Sequence, residues 1–225
     1  MSSMFKAPVE AIVFAVEIFS LDLVFTYLVP LLLASIAAVI TSYFFRGTDV
    51  LFSLELLDAW RVKDIVFYVF LGVATGIASV YFSKMYFLIT RFFAWFSNAY
   101  VKIGIAALAI GLMLYLFPPL YGEGYGLINN LLNGETEAAL NGIQYQIDFN
   151  NVWIVIAILL IIAVFKAIAM TTTFAAGGVG GIFIPTLFMG SALGNSVAKV
   201  INQFGFEVSE SNLTCLLYTS PSPRD

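Results

Sequence analysis

Histidine is absent from this chain of 225 residues, and cysteine occurs once, as Cys215. The first absence removes the usual general base and the commonest metal ligand. The second excludes an internal disulfide and a cysteine-built zinc site. Charge is scarce as well: 11% of residues are Asp, Glu, Lys or Arg, against about a quarter in soluble domains. A formal charge of −4 leaves no basic excess for nucleic acid. No basic leader precedes the first apolar run, and Glu10 and Glu17 interrupt that run, so no secretory signal is read. Apolar residues fill the space: 61% of the chain is hydrophobic and the mean hydropathy is +0.96. These counts place the chain in the membrane class and argue against His-dependent catalysis and zinc chemistry. The expectation for the whole chain is an all-α, polytopic membrane protein, not an enzyme, with no metal and no cofactor.

Apolar segments follow one another quickly. Helices are expected at 8–19, 23–45, 65–89, 103–117, 152–173 and 183–200. A shorter helix is expected at 127–132, and polar connectors at 46–64 and 133–151. Pro8 suits a first helical turn, Pro30 a kink, and Pro118-Pro119 a helix stop. Gly72, Gly76 and Ser79 are small enough to let helices approach in lipid. The segments are uneven in length and broken by Gly and Pro, a pattern of transporter-like folds rather than simple bundles. Lys84, Arg91 and Lys102 cluster between two spans, yet the connectors carry both signs, so charge assigns no orientation.

The stretch Phe174-Ala-Ala-Gly-Gly-Val-Gly-Gly-Ile-Phe-Ile-Pro185 places four glycines within five residues, directly before a helix. Non-helical backbone at membrane depth is tolerated only where protein buries it or it lines a cavity. A helix that restarts there turns N–H groups and a positive dipole end towards an anion. Helix packing is the competing explanation, because Gly177/Gly181 and Gly190/Gly194 each form a Gly-x-x-x-Gly pair.

Gly180-Gly181-Ile182-Phe183-Ile184-Pro185 resembles the Gly-x-Phe-x-Pro anion-binding segment of the CLC chloride channel and transporter family. Phe5-Lys-Ala-Pro8 through Phe14-Ala-Val-Glu17 is similar to the family's Phe-Asn-Ala-Pro…Phe-x-x-Glu helix. Lys166, 14 residues before Gly180, stands where the family often has Lys or Arg, and residues 71–79 and 118–126 also read like their bacterial counterparts. The resemblance covers 1–212 and implies a partial CLC-type transmembrane domain, the end of one inverted repeat and the start of the next. It implies chloride as the transported ion, with the amides of Ile182 and Phe183 as donors, Gly181 allowing close approach and Pro185 starting the helix. It also implies a homodimer with one pore per subunit, embedded in a lipid bilayer, here the bacterial inner membrane.

Departures from the family pattern set further expectations. Its Gly-Ser-Gly-x-Pro and Gly-x-Glu-Gly-Pro segments would precede Met1, and its late tyrosine would follow the end, so one of three walls of the site is expected in this chain. Proton-coupled members carry two successive acids where this chain has Glu17 then Ile18. A proton relay needs a titratable group, which tilts the expectation to a channel of the voltage-gated family, with a proton/chloride antiporter as the alternative. Glu10, seven residues before Glu17, could substitute on the same helical face or simply favour the helix dipole. Glu17 could line a proton path or an internal vestibule. Lys166 could draw chloride by its charge or serve structurally. A remote alternative is an intramembrane enzyme using Ser191 with Lys166 or Lys199. Residues 213–225 are expected to be a non-native or disordered tail: from Cys215 the run is rich in Ser and Pro and resembles translated adaptor sequence.

Overall fold

The computed structural model describes residues 2–19, 25–47, 65–140, 142–143, 149, 151–206, 208 and 213–214. Among the described residues every regular element is a helix. Two compact units divide the chain, Met1–Ser53 and Leu54–Asp225.

The first unit contains α1 (Ser2–Phe5), α2 (Pro8–Phe19) and α3 (Phe25–Arg46). Pro8 opens α2, as its spacing predicts, and Glu10 lies exposed in the first turn, where the helix dipole favours an acid. Hydroxyls join α1 to α3: Ser2 Oγ donates to the Ser35 carbonyl at 2.7 Å, and Ser42 Oγ donates to the Ser3 carbonyl at 2.8 Å. Ser35 Oγ lies 2.8 Å from both Ser2 Oγ and the Pro8 carbonyl. Ser35 and Ser42 sit seven residues apart on one helical face, so small polar residues join helices that have little hydrophobic drive to associate in lipid.

Lys6, between α1 and α2, has φ +52° and is the one non-glycine residue with positive φ among the described residues. Its Nζ donates to the Gly47 carbonyl at 2.7 Å and lies 4.4 Å from the Tyr43 ring centroid. The Phe-Asn-Ala-Pro motif that residues 5–8 resemble has Asn at this position, a residue that tolerates the left-handed region better than Lys. Lys6→Gly is therefore expected to stay within about 1 kcal/mol of the parent, because lost anchoring offsets relieved strain. Lys6→Val, β-branched at positive φ, is expected to cost about 1–3 kcal/mol. Denaturant titration in detergent compares the two, and equal costs would refute the strain argument.

The second unit holds α4 (Ile65–Ala94), α5 (Ala99–Leu116), a 3₁₀ turn (Pro118–Leu120), α6 (Tyr125–Leu132), α7 (Thr136–Ala139), α8 (Val152–Ala175) and α9 (Phe183–Gln203). α4 runs past the expected end at residue 89, with Arg91 in its last turn where the dipole favours a cation. Its 30 residues reach about 45 Å, longer than a bilayer core of about 30 Å. α5 begins four residues earlier than expected, because Asn98 caps it by accepting from the Tyr100 amide at 3.0 Å. Asn151 caps α8 in the same way, accepting from the Trp153 amide at 3.1 Å. The expected connector at 133–151 contains the short α7, and the connector at 48–64 lies outside the described residues.

α8 is the hub of this unit and touches α4, α5 and α9. Its buried residues Val155, Ile156, Leu159, Ile162, Ala163, Lys166, Ala167 and Met170 recur every three or four positions. α4 and α5 bury little and expose Val69, Val73, Ile77, Val80 and Leu108, as helices facing lipid do. Trp95 and Tyr100, exposed at the helix ends, suit the membrane–water interface. α9 is different, since Ser191, Asn195 and Ser196 are buried along it. Leu213 and Thr214, at the start of the expected tail, are fully buried beside Gly194 of α9, while 215–225 lie outside the described residues.

Among the described residues, four helices are long and apolar enough to cross a membrane, with spans at Leu28–Phe45, Ile65–Ala94, Ala99–Leu116 and Val152–Ala175. Uneven helices broken at Gly and Pro make the all-helical polytopic fold that the sequence predicts.

Candidate functional site

The glycine break divides into two devices. The first stops α8. Gly177 takes φ +96°, its amide donates to the Phe174 carbonyl at 3.0 Å, and the Gly178 amide donates to the Thr173 carbonyl at 2.9 Å. This bond pair is a Schellman motif, which satisfies the last carbonyls of a helix and needs a left-handed residue at Gly177. At Gly178 a side chain is excluded by proximity: a Cβ would lie 2.8 Å from the Thr173 carbonyl oxygen.

The second device is open. Val179, Gly180, Gly181 and Ile182 are exposed, and among the described residues their amides donate to no protein acceptor. A Cβ on Gly181 would meet no atom within 4 Å. α9 then begins at Phe183, with Ile182 as its N-cap at φ −78°, ψ −29° and no side-chain cap. The first closing bond runs from the Thr186 amide to the Ile182 carbonyl at 3.1 Å. Pro185 is the third helical residue rather than the first, still within the turn where its missing N–H leaves no acceptor empty. The segment thus presents a run of backbone donors to a helix N-terminus, an arrangement suited to a small anion.

Lys166 lies on α8 and is 5% exposed, which sets it apart from the exposed break. Its Nζ donates to the Leu120 carbonyl at 3.1 Å and the Gly122 carbonyl at 2.8 Å, and it lies 4.7 Å from the Phe188 ring centroid. The ammonium is thus held inside the protein by main-chain acceptors and an aromatic face. Gly124, at φ +84°, packs so closely that a Cβ would overlap the Phe188 ring. The glycines of Tyr121-Gly-Glu-Gly-Tyr-Gly126 mark a turn, but the approach of Gly124 to Phe188 has no local signal.

Glu10 and Glu17 belong to α2 of the first unit and the break to the second. Glu10 is exposed, and the side chain of Glu17 lies outside the described residues. Ser191 is fully buried, and its hydroxyl donates to the Phe188 carbonyl at 2.9 Å, a bond within its own helix. Nucleophilic activation would instead require a base at that hydroxyl.

Comparison with known proteins supplies the family. The chain is 26% identical over 197 residues to a ClcB-like chloride channel protein of Ralstonia nicotianae, covering 86% of this chain and 41% of that protein. It is 23% identical over 222 residues to the voltage-gated ClC-type chloride channel ClcB of Salmonella typhimurium, covering 96% and 48% respectively. Chloride channel protein CLC-f of Arabidopsis thaliana matches at 25% identity, over 77% of this chain and 22% of that protein. The chain spans less than half the length of these curated relatives. None of the three carries an enzyme's name. The sequence model described as voltage gated chloride channel matches residues 1–218. With four apolar helices among the described residues, this chain is a multi-pass integral membrane protein and belongs to the voltage gated chloride channel family.

Proposed function

We propose that the complete protein moves chloride across a membrane, and that residues 180–183 with Pro185 form one wall of its anion site. The observation that carries this reading is the open run from Val179 to Ile182, whose amides lead into the uncapped start of α9. A chloride ion losing water gains backbone donors and a helix dipole there. One helix terminus contributes only about 0.3–2 kcal/mol, so several donors must act together. A main-chain site also binds weakly enough to release the ion, which a lysine in contact would hinder.

The mode we propose is channel-like conduction. Ile18 has no proton to exchange where proton-coupled relatives carry a second acid, and Glu10 is exposed in the first turn of α2. Glu17 serves as a structural acid at the internal vestibule in this reading. The complete protein is proposed to be a homodimer in the bacterial inner membrane, requiring no cofactor.

Liposomes containing the complete protein, with a chloride gradient and an entrapped pH dye, test this reading. The expected result is chloride efflux, relieved of charge build-up by valinomycin and potassium, without proton movement locked to it. Stoichiometric uphill proton transport driven by the chloride gradient would establish the antiporter instead. No chloride flux would remove both readings.

A further inference from the structure

The start of α9 has no side-chain cap, so something else must fix where its donors point. The first fully buried side chain in α9 is Phe188, at 0% exposure. It stands five residues after Phe183, about 7.5 Å along the helix axis. Two groups confine its ring. On one side is Lys166 Nζ, 4.7 Å from the ring centroid; the backbone of Gly124 presses against the ring edge. The same Lys166 nitrogen holds the 120–122 segment through the carbonyls of Leu120 and Gly122. α8, the segment leading into α6, and α9 therefore converge on one nitrogen and one ring.

We propose that Lys166 is a positioning residue for the anion-binding end of α9, acting through Phe188 and the 120–124 segment. This proposal rests on the chloride site described above and assigns its alignment to side chains outside it. The ammonium's hydrogen bonds draw the segment inward, and Gly124 meets Phe188 without a side chain between them. That contact sets the rotation and axial position of α9. A helix is stiff over two turns, so a shift at Phe188 displaces the donors at its start. Loss of the nitrogen also leaves two carbonyls without their donor, and the segment would rearrange to recover partners. Lys166 does not need to contact chloride for this role. Its charge is engaged by main-chain oxygens and a ring, so long-range attraction is a separate mechanism with different consequences.

Chloride calorimetry on the purified complete protein, in isethionate buffer, separates these possibilities. The parent is compared with Lys166→Met, Lys166→Arg and Phe188→Leu, each first checked for helicity and a single size-exclusion peak. Lys166→Met and Phe188→Leu are expected to raise the chloride Kd about tenfold, within the range one helix terminus contributes. Lys166→Arg can still donate to both carbonyls and is expected to stay within about threefold of the parent. A folded Lys166→Met protein with parental Kd would overturn the proposal. So would a weakened Lys166→Met beside an unchanged Phe188→Leu, because Lys166 would then act by charge alone. Should Lys166→Met fail to fold, Phe188→Leu and Lys166→Arg decide. A parental Kd for Phe188→Leu, or a Kd for Lys166→Arg raised as far as about tenfold, overturns the proposal. A raised Kd for Phe188→Leu beside a near-parental Lys166→Arg supports it. A parent that binds no chloride at all would remove the site itself, a failure visible before any variant is measured.

Discussion

Gly181→Val is expected to leave the protein folded and to weaken chloride binding about tenfold or more. The first half follows from space: a Cβ at Gly181 meets no atom within 4 Å, and its φ is outside the left-handed range. Its cost to stability should therefore stay near 0.5 kcal/mol, as for a surface change away from special backbone. The second half follows from position, since the new side chain would stand beside the amides of Ile182 and Phe183. An ion that must touch backbone donors cannot share that space with two methyl groups. Gly178→Val is the contrasting variant, because its Cβ would press on the Thr173 carbonyl and the damage would fall on the α8 stop. Calorimetry and thermal melting of both variants in the complete protein test the pair. Unchanged chloride affinity for a folded Gly181→Val protein would show that the open half of the break binds nothing.

The second large effect is expected at Gly194. A Cβ there would lie 2.7 Å from the Leu213 carbonyl oxygen and 2.9 Å from Thr214 Cα, both backbone atoms that cannot rotate aside. Gly194→Ala should therefore cost about 1–3 kcal/mol by overpacking, measured by denaturant titration in detergent. Leu213 also belongs to a small cluster with Leu71, Ala198, Ile201 and Val208, so displacing it exposes apolar surface at the end of α9. Deletion of 215–225 is expected to change stability by less than about 0.5 kcal/mol, in keeping with the proposal that the run from Cys215 is extraneous to the membrane domain. A large loss on that deletion, or none in Gly194→Ala, would contradict this picture.

These two glycines show how far the sequence is informative. Gly177/Gly181 and Gly190/Gly194 have the same spacing, and spacing alone gives both pairs the same packing role. In the fold they part. Gly177 ends a helix and Gly181 faces open space, whereas Gly194 lies against another stretch of backbone. A Gly-x-x-x-Gly pair predicts contact only if both residues lie on one helix, and the Schellman turn takes Gly177 and Gly181 off it.

Lys166 teaches a related lesson. Its place in an apolar run announces a buried or snorkelling cation, and the sequence leaves attraction of chloride and a structural bond equally open. Its acceptors are main-chain oxygens more than 40 residues away, and carbonyl oxygens leave no mark in a sequence. Lys6 is similar: the chain reads as a helix entry around Pro8, but the left-handed turn at Lys6 is held by Gly47 and Tyr43 from the far end of α3.

The sequence by itself determined what local chemistry can determine. Scarce charge and long apolar runs required a membrane, absent histidine and a single cysteine closed off histidine-dependent catalysis and a cysteine-built zinc site, and Gly and Pro marked the helix break before Pro185. Those properties follow from composition, periodicity and backbone freedom. Only the tertiary structure decided which glycines end a helix, which leave amides open and which face another chain segment. It also decided that Lys166 is tied to carbonyls and an aromatic ring. The physical reason is that each of these depends on atoms brought together by packing, and packing joins residues whose separation along the chain carries no signal.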